Sequence, residues 1–349
     1  MSPPRRGSGG GAPKKGGGAP KKGGRKPLSA AAQKAVESKR ARHAEASVRK
    51  ADRGGTRKAA TGGRGGGAGG RGAAAGGARG AGARSGGRPG PGAPRGLGGD
   101  QVEGRQAVRE LLLAGRRRVR EILVAEDQDD TEVLQDIVDL ALDLKVPVRE
   151  VTRTRLFAEA RTESPQGVIA HAAELDDVEL DDLARRKSSR GAPPFLLAVD
   201  GVTDPGNLGA LLRSAECAGV TGVVLPKHRA VHITPTVTKA AAGAVEYLPM
   251  ALVGGLPTAL RQLREAGVWV IGLDAGGDTD LFDLEVADQA VCLVMGAEGK
   301  GLSRLVRERC DAVAGIPLLG QLASLNVSAA GALACFEVTR RRLASGRGS

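Results

Sequence analysis

From Gln101 onward the apolar positions switch repeatedly between helical and strand spacing. Val102, Val108, Leu111, Leu112 and Leu113 recur at helical intervals, which predicts a helix over Gln101–Ala114 ended by Gly115. Val119–Ala125 is a short apolar strand. Asp130–Leu144 carries Val133, Leu134, Ile137, Val138 and Leu142 as a helical stripe, and Val146–Val151 returns to strand. A short helix over Thr152–Ala160 and a strand over Gly167–Ala172 complete a small α/β domain, residues 100–173.

Residues 174–194 are acidic, then basic, then Pro-rich. They read as a linker with a short helix at Leu180–Arg186. Beyond them, strands are predicted at Phe195–Asp200, Gly222–Leu225, Val245–Leu252, Val268–Leu273, Val291–Met295 and Ala312–Ile316. Helices are predicted at Asn207–Ala218, Thr236–Ala241, Leu256–Ala266, Leu302–Glu308 and Asn326–Leu343. Alternation of this kind implies a mainly parallel sheet covered on both faces, a second α/β domain over 195–345.

Composition changes the picture only before residue 100. Residues 1–99 hold 23 of the 52 Lys and Arg but 3 of the 39 Asp and Glu, a net charge of +20 that leaves −7 for the rest. They also hold 30 of the 54 glycines and no aromatic residue. Such a segment cannot bury enough apolar surface to offset chain entropy, so a disordered basic tail is expected over 1–99. Its charge suits counterion-releasing attraction to RNA phosphates, and its lack of aromatics argues against base recognition. The four cysteines (Cys217, Cys292, Cys310 and Cys335) form no metal-ligand or redox spacing, and no metal site is expected. No apolar run reaches the ~18 residues of a membrane span, and the basic N-terminus lacks the apolar core of a secretory signal, so a cytoplasmic protein without membrane contact is expected.

Three loop segments carry the candidate chemistry. They read D-P-G-N-L-G-A-L-L-R-S-A over Asp204–Ala215, V-M-G-A-E-G-K-G-L-S over Val294–Ser303, and I-P-L-L-G-Q-L-A-S-L-N-V-S-A-A-G over Ile316–Gly331. Strand-to-loop junctions are where open α/β sheets place ligands. The glycines admit close backbone approach. Asn207, Ser324 and Asn326 can cap helices or point into a site. The Rossmann glycine fingerprint is absent after the first strand. His228 and His232 flank the loop after the second strand of this domain, and His171 lies on the small domain's edge. None of the three reads as catalytic.

Together, in this order, the three segments resemble the motifs of the SpoU (TrmH-like) family of RNA ribose 2′-O-methyltransferases. The G-R-Q-A-V-R-E-L-L start, R-L-F at Arg155–Phe157 and Q-G-V-I-A at Gln166–Ala170 resemble that family's small N-terminal substrate-binding domain. The resemblance implies a SPOUT-type α/β domain with a C-terminal trefoil knot, against the general rarity of knots. It implies S-adenosylmethionine as methyl donor, held by Gly296, Ile316 and Leu325. Asn207, Arg213, Glu298, Ser324 and Asn326 are the implied catalytic set. Arg213 would place phosphate and help activate the hydroxyl, with Glu298 orienting Arg213 or a substrate group, and electrostatic positioning suits a guanidinium better than proton abstraction. Arg116, Arg117, Arg118, Lys239 and Lys300 are the candidate RNA contacts. The family is generally homodimeric, so a homodimer is expected. The nearest branch methylates a guanosine of 23S ribosomal RNA. The alternatives are a tRNA ribose methyltransferase and a catalytically silent RNA-binding or ribosome-assembly protein.

Overall fold

The computed structural model describes residues 96–129, 131–227 and 232–346. The expected tail, up to residue 95, and His228 lie outside the described residues. The tail does not extend to 99. Leu97 is buried in the core of the second domain, and its carbonyl accepts a hydrogen bond from the Ile233 amide at 3.0 Å.

The small domain is a four-stranded sheet with helices packed on it. Its elements are β1 (Gln101–Glu103), α1 (Arg105–Ala114), β2 (Val119–Ala125), α2 (Glu132–Asp143), β3 (Val148–Val151), α3 (Arg153–Glu159) and β4 (Val168–Ala172). The strand order is β1-β4-β2-β3. Val108, Leu111 and Leu112 of α1 meet Ile122 of β2 and Ile137 and Leu140 of α2 in its core. The helix predicted from Gln101 begins instead at Arg105, and Gln101–Glu103 is an edge strand antiparallel to β4. Gly104, at φ 95°, turns the chain between the two. Glu103 is polar yet fully buried, because its carboxylate accepts from the Arg161 amide at 2.6 Å, the Thr162 amide at 3.1 Å and the Gln101 side chain at 2.8 Å.

The second domain contains α4 (Leu180–Ala184), β5 (Phe195–Val199), α5 (Pro205–Cys217), β6 (Gly222–Pro226), α6 (Pro235–Ala240) and β7 (Met250–Val253). It continues with α7 (Leu256–Glu265), β8 (Trp269–Leu273), β9 (Thr279–Asp280), β10 (Val291–Met295), α8 (Arg304–Arg307), β11 (Ala312–Gly315) and α9 (Val327–Ala344). The seven strands run parallel in the order β7-β6-β5-β10-β8-β11-β9. β5 explains the predicted two-sided cover: Phe195, Leu197 and Val199 join the layer under α5 and α9, while Leu196 and Ala198 join the layer under α4 and α7. The stretch read as a linker is part of this domain. Leu183 is buried beneath β6, and the Val178 amide donates to the Met250 carbonyl at 3.0 Å. The strand predicted at Val245–Leu252 divides into a 3-10 turn, Ala244–Glu246, and β7. Gly243, at φ 85°, redirects the chain there, and Val245 and Glu246 are pulled inward. Among the described residues no helix is long and apolar enough to cross a membrane.

Glu246 explains the seam between the domains. Its carboxylate takes both Nη2 of Arg117, at 2.6 Å, and Nε, at 2.9 Å, with both side chains at most 2% exposed. Nη1 of Arg117 donates to the carbonyls of Gly99 and Ala173. This corrects the expectation that Arg117 meets RNA: no face of its guanidinium is left for a phosphate. Arg116 and Arg118 beside it are exposed. Around the pair, Tyr247 donates to Glu110 Oε2 at 2.7 Å and Arg116 Nη1 to the Tyr247 carbonyl at 3.0 Å.

A buried charge that loses its partner is costly. Arg117→Ala should destabilise the chain by about 3–5 kcal/mol, read as a lowered urea midpoint. The double replacement Arg117→Met with Glu246→Leu should recover most of that loss, since no lone charge remains.

Candidate active site

Three parallel strands, β8, β10 and β11, end on one edge of the sheet, and the segments after them line a cavity of about 270 Å³. Its walls are apolar: Leu273 and Met295 from strand ends, Ile316, Leu318 and Leu325 from the loop after β11, and Val327 and Ala330 from α9. Its rim is the Gly-rich loop Gly296–Gly301, which includes Glu298 and Lys300, together with Asp274 and Ala275. The lining therefore offers an apolar slot edged by backbone donors and acceptors, a surface that suits a flat heteroaromatic ring. The loop after β10 doubles back on itself through paired Ala297–Gly301 backbone bonds of 2.9 Å. A Cβ on Gly296 would stand 2.4 Å from the Gly301 carbonyl carbon, so only glycine admits this crossing. Gly301 is in the left-handed region, at φ 63°, and is pressed against Asp274.

A chain of hydrogen bonds joins the three motif segments above the slot. Asn326 caps α9: its Oδ1 accepts from the Ser328 amide at 2.9 Å, the Ser328 hydroxyl at 2.6 Å and the Ala329 amide at 3.4 Å. Its Nδ2 donates to Asn207 Oδ1 at 2.9 Å. Asn207 Nδ2 in turn donates to Glu298 Oε2 at 3.1 Å. Asn207 is not itself the cap of α5. That position belongs to Asp204, whose Oδ1 accepts from the Asn207 amide at 2.6 Å, with Pro205 in the first turn. Glu298 is exposed and keeps a second carboxylate oxygen beside the slot. Ser324 also lines the cavity.

The other candidates are placed differently. Arg213 does not meet Glu298. Six residues along α5 move it about 9 Å and roughly 120° around the helix from Asn207. It is exposed, and among the described residues it makes no hydrogen bond or ion pair. Lys300 is exposed on the cavity rim. Lys239, on α6, donates from Nζ to the Ser164 carbonyl of the small domain. His232 is half-buried. Cys292 and Cys335 are buried, and burial pushes the Cys335 thiol up to about 12, so it is an inert core residue.

Two acids at strand ends were missed in the sequence. Asp200 follows β5, and its Oδ2 accepts from the Ser303 amide at 2.7 Å. Asp274 follows β8: it accepts from the Leu302 amide at 3.1 Å and the Gly276 amide at 3.0 Å and pairs with Arg307 at 3.5 Å. Asp200 holds the start of α8, and Asp274, which also lines the cavity, holds the end of the Gly-rich loop. The signal was an aspartate directly after an apolar run, read as a simple strand boundary.

Comparison with known proteins agrees with this architecture. The SpoU rRNA Methylase family model matches residues 194–336, and the model described as RNA 2′-O ribose methyltransferase substrate binding matches 101–178. A putative TrmH family tRNA/rRNA methyltransferase of Bacillus subtilis is 38% identical over 243 residues, 70% of this chain and 96% of that one. The 23S rRNA (guanosine-2′-O-)-methyltransferase RlmB of Vibrio vulnificus is 37% identical over 247 residues, 70% of this chain and 98% of that one. The crystal structure of an AdoMet-bound rRNA methyltransferase from Sinorhizobium meliloti superposes with a TM-score of 0.57 at 26% identity, covering 69% of this chain and 87% of that one. With both domains matched and the relatives covered nearly end to end, the chain belongs to the SpoU rRNA methylase family and is an RNA 2′-O-ribose methyltransferase.

Proposed function

We propose that the chain transfers a methyl group from S-adenosylmethionine to the ribose 2′-hydroxyl of a guanosine in 23S ribosomal RNA, in the cytoplasm. The observation that carries the reading is the Asn326–Asn207–Glu298 hydrogen-bond chain set over an apolar slot edged by main chain. The relatives' named substrate supports the choice of RNA and base. The slot suits adenine: Ile316 and Leu325 can cover its faces while the backbone at Gly296 lies close enough to bond its edge. When bound, the donor supplies an electrophilic methyl. The protein's task is then positional. Asn326 and Asn207 are fixed in one amide orientation by the cap, and Glu298 is fixed by Asn207. Its second oxygen is poised to accept the hydroxyl proton or to orient the ribose. Ser324 lies on the same wall. Arg213, an exposed cation on the neighbouring helix without a hydrogen bond or ion pair among the described residues, suits the phosphate beside the reacting ribose. Arg116, Arg118, Lys239 and Lys300 would extend that contact along the RNA.

We also read the working unit as a homodimer. The loop after β11 and the outer face of α9 expose Leu319 (100%), Leu322 (81%), Leu333 and Phe336. Exposed large apolar side chains of this number favour association, and a second copy would cover them. The trefoil knot of the family is carried over on family membership alone; the close approach of Gly277 to the backbone of 313–315 follows from its place just before β9, the strand paired with β11.

Mass-spectrometric mapping of ribose methylation in total RNA, with and without the protein, tests the reading. One 2′-O-methylguanosine should disappear from 23S rRNA without the protein and return with the wild-type chain. Arg213→Ala should not restore it, its rate falling by about two to three orders of magnitude while donor binding persists. A loss confined to tRNA would move the assignment to that substrate. Gly296→Ala should abolish donor binding in calorimetry, because the added methyl occupies the loop crossing. Phe336→Glu with Leu322→Glu should convert a dimer to a monomer in sedimentation. A wild-type chain already monomeric would sink that part.

A further inference from the structure

The small domain contains one aromatic residue, Phe157. Aromatic side chains carry the largest apolar surfaces, so a lone ring would ordinarily sit in the core. Here aliphatic side chains fill the core, and Phe157, on α3, is 46% exposed. The guanidinium of Arg153, one turn earlier, lies over the ring with Cζ 5.8 Å from its centre. Both residues line a cleft of about 550 Å³.

The cleft is built by specific contacts. Arg105 crosses its wall, donating from Nη2 to Gln128 Oε1 at 2.6 Å, from Nη1 to Thr131 Oγ1 at 3.0 Å and from Nε to the Gln166 carbonyl at 3.2 Å. Gln128 then lies across Gly167, where any Cβ would collide with it at 2.0 Å. Two of the four described non-glycine residues in the left-handed region, Asp127 (φ 57°) and Gln166 (φ 56°), line this cleft. Such backbone is costly and gathers where a surface is shaped for a ligand.

The charges decide what would fit. Arg105 and Arg153 are balanced by Asp127 and Asp129 in the same lining. A phosphate would be repelled by the carboxylates. A neutral base would not be, and carboxylates and amides can accept from its amino groups. Unstacked RNA bases are held on aromatic rings and arginine planes, and Phe157 with Arg153 provides both. The location suits a long substrate: Ser164, on the same rim, accepts a hydrogen bond from Lys239 of the methyltransferase domain, so the cleft opens at the seam between the domains. We propose that the Phe157–Arg153 cleft binds an unpaired base of the RNA, away from the nucleotide that is methylated. This rests on RNA being the substrate but not on which RNA it is.

The test uses the full-length protein and fluorescence anisotropy with two probes: a labelled single-stranded RNA dodecamer of mixed sequence and its blunt duplex. Raised salt suppresses the counterion-release contribution of residues 1–99. Phe157→Ala and Phe157→Leu should each weaken single-strand binding about tenfold, and Phe157→Trp should retain it, because stacking needs a ring and not merely apolar area. Duplex binding should not change. In turnover on ribosomal RNA, KM should rise and kcat should stay, with donor binding intact. A Leu variant that binds like the wild type overturns the proposal, as does an equal loss on strand and duplex. Either result leaves methyl transfer itself untouched, so failure of the cleft is distinct from failure of the enzyme assignment.

Discussion

Asn326 is committed to the last helix before it can do anything else. Its carbonyl oxygen accepts three hydrogen bonds at the start of α9. Only its amino group then remains to face the site. That forces Asn207 to turn its own oxygen toward Asn326 and its own amino group outward. The next residue must therefore be an acceptor, and a carboxylate, Glu298, stands there. The donor and acceptor roles along Asn326, Asn207 and Glu298 follow from direction alone. A capping interaction worth about 1 kcal/mol locally thus sets the polarity of a chain that joins segments more than a hundred residues apart in sequence.

Much of the fold could be read from the sequence because so many strands are buried on both faces. Phe195–Val199 and Val291–Met295 are unbroken apolar runs, and the structure places both in the middle of the parallel sheet. Reading failed where a polar residue is buried by a distant partner. Gln101 and Glu103 look like the start of an exposed helix, yet their partners at 159–162 make them an edge strand. Arg117 looks like one member of a basic run, and only the arrival of Glu246 from 129 residues away separates it from Arg116 and Arg118. In the site, the residue types were legible and their pairing was not. Of the two roles expected for Glu298, orienting Arg213 or a substrate group, the contact with Arg213 is not made and Glu298 bonds Asn207, because positions six apart on a helix do not share a face. Asp200 and Asp274 escaped notice since their role depends on backbone amides that no spacing rule records.

The charge distribution divides the labour of recognition. The chain from residue 100 onward carries a net −7, so it cannot draw RNA in by bulk potential, while residues 1–99 carry +20. Long-range attraction and short-range fit are therefore separable in this protein. What the folded part contributes must come from individual groups placed at close quarters: a main-chain-edged slot for an apolar ring, and single cations on its border.

The arginine–glutamate pair between the domains also constrains how this architecture can be reshuffled. Suppose the small domain were exchanged as a cassette. Here the incoming cassette would have to carry a basic residue in the turn after its first helix, or the receiving half would retain a carboxylate with nothing to neutralise it. The two halves therefore work only as a matched set, and a chimaera that joins them at the segment read as a linker would cut through the wrong place.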